Sequence, residues 1–158
     1  GADFPVAAFN DRVEVVAGEM IAAGVPLKGG VHEILDHLDA LALPRAIATS
    51  SSHRAVASHL GASGVIPRIQ TIVARGDYAR GKPHPDPYLT AADRLGVHPA
   101  DCLALEDSYN GVRSASAAGM MTVMVPDLLE ATDEMHGLCV RVAADLHEVR
   151  DWLGVLRA

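Results

Sequence analysis

The sequence predicts an α/β protein in which a parallel β-sheet is flanked by helices. Two observations carry this expectation. Short apolar runs alternate along the chain with amphipathic stretches of about ten residues, the pattern of successive βαβ units. Polar clusters then follow three of the apolar runs, at Thr49-Ser50-Ser51, Glu106-Asp107-Ser108 and Pro126-Asp127. Open parallel sheets bind their ligands at that place, beyond the carboxyl ends of the strands.

The elements follow in order. Val13, Val16, Ala17, Met20 and Ile21 recur at helical spacing, with Arg12, Glu14 and Glu19 off the stripe, so the chain opens on a helix. Gly24, Pro26 and Gly29-Gly30 break it. A second helix places Val31, Ile34, Leu35, Leu38 and Leu41 on one face and stops before Pro44. Strands are expected at 46–48, 71–73, 102–105, 122–125 and 140–142. Helices are expected at 53–60, at 87–95 ended by Gly96, and at 111–118 ended by Gly119. Leu146, Val149, Leu153 and Leu156 mark a last helix, and Asp145 with Glu148 has the spacing of a capping box.

Composition narrows the function classes. A chain of 158 residues, 49% apolar and 21% charged, is one globular domain and neither disordered nor a disulfide scaffold. No apolar run approaches the roughly 18 residues of a membrane span. The net charge of −7 argues against nucleic acid as a partner. Cys102 and Cys139, both in apolar surroundings, read as small core residues, and a cytoplasmic location is expected.

Four clusters could carry chemistry. Thr49-Ser50-Ser51-Ser52 follows a strand and opens a helix, where hydroxyls and free N–H groups suit a phosphate; simple capping by Ser51 or Ser52 is the plainer alternative. The stretch from Gly76 to Pro83 nearly matches the nucleotide-binding P-loop, but Pro83 stands where a hydroxyl residue must hold magnesium, and the reading fails. Lys82-Pro83-His84-Pro85-Asp86-Pro87 is a stiff turn carrying one of the only two lysines, set against eleven arginines. Such a lysine can bring a point charge to a phosphate or carboxylate, although most lysines are surface residues. Asp86 reads as a cap or turn residue, and His53 and His84 as structural or exposed. Glu106-Asp107 closes a buried strand and offers hard oxygen ligands of the kind Mg²⁺ takes; a solvated turn with Asp107 or Ser108 as N-cap is the alternative.

Taken in order, these clusters resemble the haloacid dehalogenase-like hydrolase superfamily, in the phosphatase branch that includes β-phosphoglucomutase. Ala46-Ile47-Ala48-Thr49-Ser50-Ser51 resembles its second motif, Gly81-Lys82-Pro83-His84-Pro85-Asp86 its third, and Glu106-Asp107-Ser108-Tyr109-Asn110-Gly111 its fourth. The resemblance implies a Rossmann-like core over residues 29–158, with residues 1–28 as a remnant of a helical cap. It implies a Mg²⁺-dependent phosphatase acting on a small phosphorylated metabolite, with a phosphomutase or a non-catalytic phospho-ligand or partner-binding homologue as alternatives. Thr49 and Lys82 are then the catalytic residues, and Thr49, Ser50, Ser51 and Lys82 bind phosphate. Asp107 ligates the metal, Glu106 ligates it or supports it, and Ser108 and Asn110 brace the loop.

One departure stands out. The family's first motif, D-x-D, supplies the nucleophile and the acid/base, and none of the thirteen aspartates here forms such a pair. The resemblance therefore implies a chain that begins inside the cap, is inactive by itself, and lacks a central strand. That strand would lie between the one ending at Thr49 and the one ending at Glu106. Its unpaired neighbours are expected to be satisfied by an N-terminal segment, by closing on each other, or by a second copy of the chain. A phospho-accepting receiver domain fits less well, since the first strand here ends in hydroxyls rather than in an acidic pair.

Overall fold

The computed structural model describes residues 26–155, together with Pro5, Ala8, Phe9, Arg12 and Val16. Most of the expected first helix and cap remnant, and Leu156, lie outside the described residues. The elements are α1 (Val31–Ala40), β1 (Ala46–Ala48), α2 (His53–Leu60), β2 (Thr71–Val73), α3 (Asp86–Leu95), β3 (Leu103–Glu106), α4 (Tyr109–Ala117), β4 (Met121–Met124), α5 (Asp133–Leu138), β5 (Arg141–Val142) and α6 (Leu146–Val155). Every strand pairing is parallel, as expected. The third and fourth strands are displaced by one residue from the sequence reading, and α5 has no counterpart in it. Its polar sequence gives little periodicity; Thr132 caps it, accepting from the Met135 N–H.

Strand alternation assigns the two faces. Leu103, Leu105, Val123 and Val125 pack with Ile34 and Leu38 of α1 and with Val149, Trp152 and Leu153 of α6. Residues of opposite parity face the other way: Ala104 packs with Tyr88, Ala115 and Ala118, while Met124 packs with Val112 and Met135. The result is helices on both faces of a parallel sheet. Gly30 admits α1 to this layer, because it adopts φ 87° and a Cβ there would lie 2.9 Å from the His147 main-chain nitrogen.

The sheet is interrupted. β1 pairs with β2, and β3, β4 and β5 form a second sheet in that order. Thr49 N–H donates to the Val73 carbonyl, so odd-numbered residues of this strand face β2. Met121 N–H donates to Cys102 and Val125 N–H to Glu106, so even-numbered residues of β3 face β4. The main-chain groups of Ala46 and Ala48 on one side and of Leu103 and Leu105 on the other therefore face the gap. Among the described residues no main chain pairs with them, and β1 does not close on β3.

Candidate functional site

A cleft of about 470 Å³ opens where the gap meets the carboxyl ends of β1 and β3, lined among others by Thr49, Ser50, Lys82, Glu106, Asp107 and Ser108. Each arrives from a different local device. Thr49 stands at the first position after β1, and its Oγ1 accepts from the Ser51 N–H at 3.1 Å. That bond uses the oxygen and leaves the hydroxyl proton for an incoming anion. Ser52 caps α2 by accepting from Ala55 N–H at 3.3 Å, which establishes the capping role for one of the two serines considered.

Lys82 is delivered by the proline turn ahead of α3. The turn is pinned from behind, because Ser114 Oγ of α4 donates to the His84 carbonyl at 2.5 Å. The ammonium donates to the Ala48 carbonyl at 3.0 Å and to Glu106 Oε1, and lies 5.0 Å from the centre of the Tyr88 ring. Lys82 is thus no surface lysine: its side chain is 12% exposed.

Glu106 is the hub. Its Oε1 also accepts from the Tyr88 hydroxyl, and its Oε2 accepts from Asp107 N–H at 3.2 Å and Ser108 Oγ at 3.1 Å. A buried carboxylate is tolerable only with such a set of donors. Burial, then the Glu106 charge, push the Tyr88 hydroxyl well above the ordinary tyrosine range, so it remains a donor. Gly111 makes room for this carboxylate, since a Cβ there would stand 1.8 Å from Oε2. Ser108 caps α4 through the Gly111 N–H at 3.1 Å.

The remaining expected residues divide. Asp107 lies on the cleft wall and is half-exposed. Ser51 stays in the same loop: its N–H donates to Thr49 Oγ1 at 3.1 Å and its carbonyl accepts from Arg75 N–H, just beyond β2, at 2.8 Å. Asn110 is exposed and accepts from Arg113 at 3.3 Å. His53 pairs with Asp77 at 2.9 Å and Asp86 with Arg80 at 3.0 Å, both away from the cleft lining. Sequence reasoning missed Tyr88, Lys28 and the part played by Asp127. The Lys28 ammonium lies 3.6 Å from Asp107 Oδ2 and 3.4 Å from Asp127 Oδ2. One signal was available: Lys28 and Lys82 are the only two lysines, and both line this cleft.

A magnesium ion fits part of this donor set. Asp107 and Asp127 converge on a cation, and hard carboxylate oxygens at a wet cleft suit Mg²⁺, which needs only one or two from protein. Both oxygens of Glu106 are already engaged. Among the described residues no group of three His, Cys, Asp or Glu side chains forms a ready metal cage.

At one cleft of an α/β protein, parallel strands thus bring together a hydroxyl cluster, a buried ammonium and a carboxylate pair. The chain belongs to the haloacid dehalogenase-like hydrolase family, whose profile matches residues 2–119, and within it to the phosphatase branch. It is 40% identical over 120 residues to the plasmid protein CbbY of Cupriavidus necator, covering 73% of this chain and 47% of that protein. Over 106 residues it is 34% identical to the phosphoglycolate phosphatase of Escherichia coli, covering 67% of this chain and 42% of that one. The crystal structure of CbbY from Rhodobacter sphaeroides in complex with phosphate superposes with a TM-score of 0.79 at 27% identity, covering 93% of this chain and 67% of that one. The chain thus spans about half the length of the first of these relatives.

Proposed function

We propose that this chain carries the phosphate-binding and metal-binding half of a Mg²⁺-dependent phosphatase acting on a small phosphate monoester in the cytoplasm. The observation that supports it best is the Lys82 ammonium, buried in the cleft and held at the Ala48 carbonyl within reach of the Thr49 loop. Phosphoryl transfer depends on positioning and charge neutralisation. Lys82 supplies fixed positive charge, and the free Thr49 hydroxyl proton, with Ser50 beside it, donates to a phosphoryl oxygen. Asp107 holds the magnesium ion, which when bound neutralises further phosphoryl charge, and Glu106 keeps Lys82 in place.

This stretch of chain does not turn over alone in our reading, because it has no D-x-D pair to act as nucleophile and acid/base. The partner we propose for the gap between β1 and β3 is one parallel strand, from an upstream segment of the same protein or from a second copy of the chain. No helix among the described residues is long and apolar enough to cross a membrane.

The test separates binding from turnover. Inorganic phosphate titrated in the presence of Mg²⁺ should bind the chain, and Lys82→Met should weaken it by at least about tenfold. Hydrolysis of p-nitrophenyl phosphate by the chain should stay at background. Equal phosphate binding by the variant refutes the role of Lys82, and Mg²⁺-dependent turnover refutes the assignment of inactivity.

A further inference from the structure

We infer that Lys28 is a tethered cation that competes with Mg²⁺ for Asp107 and thereby lowers the metal affinity of the site; the inference rests on the magnesium reading above. Lys28 comes from the segment before α1, whereas Asp107 and Asp127 follow the adjacent parallel strands β3 and β4. The ammonium nonetheless lies between them, 3.6 Å from one carboxylate and 3.4 Å from the other. The other lysine cannot take this place, because it is committed to Glu106 and the Ala48 carbonyl.

The segment that carries Lys28 is anchored. Gly30 is buried against the main chain at Leu146 and His147, with a left-handed φ only glycine adopts freely. Beyond that anchor the lysine stem is flexible, and its ammonium is a compact point charge. Its side chain is 39% exposed, so it can leave without unpacking the core.

Mg²⁺ binds oxygen at about 2.0–2.1 Å. It cannot share Asp107 Oδ2 with an ammonium without strong like-charge repulsion. Binding of the metal is therefore an exchange, in which Lys28 withdraws from Asp107. Asp127 lets it withdraw without losing its counter-ion, since that pair is already formed. The metal gains Asp107 and must overcome an existing ion pair, so affinity is lower than one carboxylate alone would give. Exposed pairs are weak and screened by salt, which places the effect at about two- to fivefold in dissociation constant.

The experiment is calorimetric titration of Mg²⁺ into the 158-residue chain and its variants, with Mn²⁺ followed by electron paramagnetic resonance as a second probe. Lys28→Met should tighten binding by about two- to fivefold, and the advantage should shrink as ionic strength rises. Lys28→Arg, which keeps the charge, should stay within about twofold of the parent. Asp107→Asn should weaken binding with either residue at position 28. Unchanged or weaker binding by Lys28→Met, or equal tightening by Lys28→Arg, overturns the competition while leaving magnesium at Asp107. Indifference to Asp107→Asn, or no binding by any variant, overturns the magnesium reading and the competition with it.

Discussion

Lys82 and Glu106 meet across an interrupted sheet: the lysine comes from the turn before α3, the carboxylate from the last residue of β3, and the Ala48 carbonyl at the end of β1 completes the contact. With side chains 12% and 6% exposed, the pair is buried. It couples the two half-sheets at the point where, among the described residues, no main-chain ladder does.

Removing one member should therefore be costly. Lys82→Met leaves a buried carboxylate without its cation and should destabilise the fold by about 3–5 kcal/mol in urea denaturation. The double variant with Glu106→Gln should recover much of that loss, because it removes the uncompensated charge. Equal destabilisation by single and double variants would show that packing of the lysine stem, not charge, is what matters.

Tyr88→Phe retains the ring over which Lys82 sits and removes only the hydroxyl. Glu106 Oε1 then keeps Lys82 as its remaining donor, and stability should fall by about 1–2 kcal/mol. Phosphate affinity, read by the same titration as for Lys82, should fall less than with Lys82→Met.

Gly111→Ala improves helix propensity by about 1 kcal/mol in principle. Here it should destabilise, because the added Cβ falls 1.8 Å from Glu106 Oε2 and that carboxylate is held on both oxygens. A rise in melting temperature for this variant would mean that the carboxylate moves freely.

Asp77 accepts from Ala74 N–H, Arg94 and His53, and these hold its carboxyl at about 2, below the ordinary 3.8. A depressed folded-state pKa stabilises above the unfolded value and loses that contribution as pH falls through the folded one. Acid unfolding should therefore steepen between about pH 4 and pH 2, and Asp77→Asn should flatten this part of the curve. The measurement is stability against pH for both proteins.

Amide hydrogen exchange tests the gap. The N–H groups of Ala46, Ala48, Leu103 and Leu105 should exchange faster than those of Thr49 and Val125, which are bonded to neighbouring strands. Adding a strand-forming partner that fills the gap should slow them selectively.

Much of the fold was legible because the short strands and amphipathic helices use strong local codes. Ala46–Ala48 and Thr71–Val73 carry their own apolar runs, Gly96 ends α3 with φ 67°, and Asp145 caps α6 by accepting from Glu148 N–H at 2.9 Å. Glu148 then reaches back to Ala144 N–H at 2.8 Å, one residue earlier than a capping box requires. Strand boundaries shifted by one residue because ladder register is set by the neighbouring strand. The site motifs were legible for a similar reason: Thr49, Lys82 and the Glu106-Asp107 pair each sit in a turn whose local sequence is distinctive.

What the amino-acid sequence determined alone, then, is the order of elements, the parallel α/β class and the residues gathered at the strand ends. Those follow from periodicity, caps and turns, which act over a few neighbouring positions. Only the tertiary structure decided what each charged group does there. It committed Glu106 to Lys82, Tyr88 and the α4 loop, paired the exposed Asn110 with Arg113, and set Lys28 between Asp107 and Asp127. Charges choose partners through space, by distance and burial, so a lysine at position 28 and aspartates at 107 and 127 reveal their relationship only once the strands lie side by side.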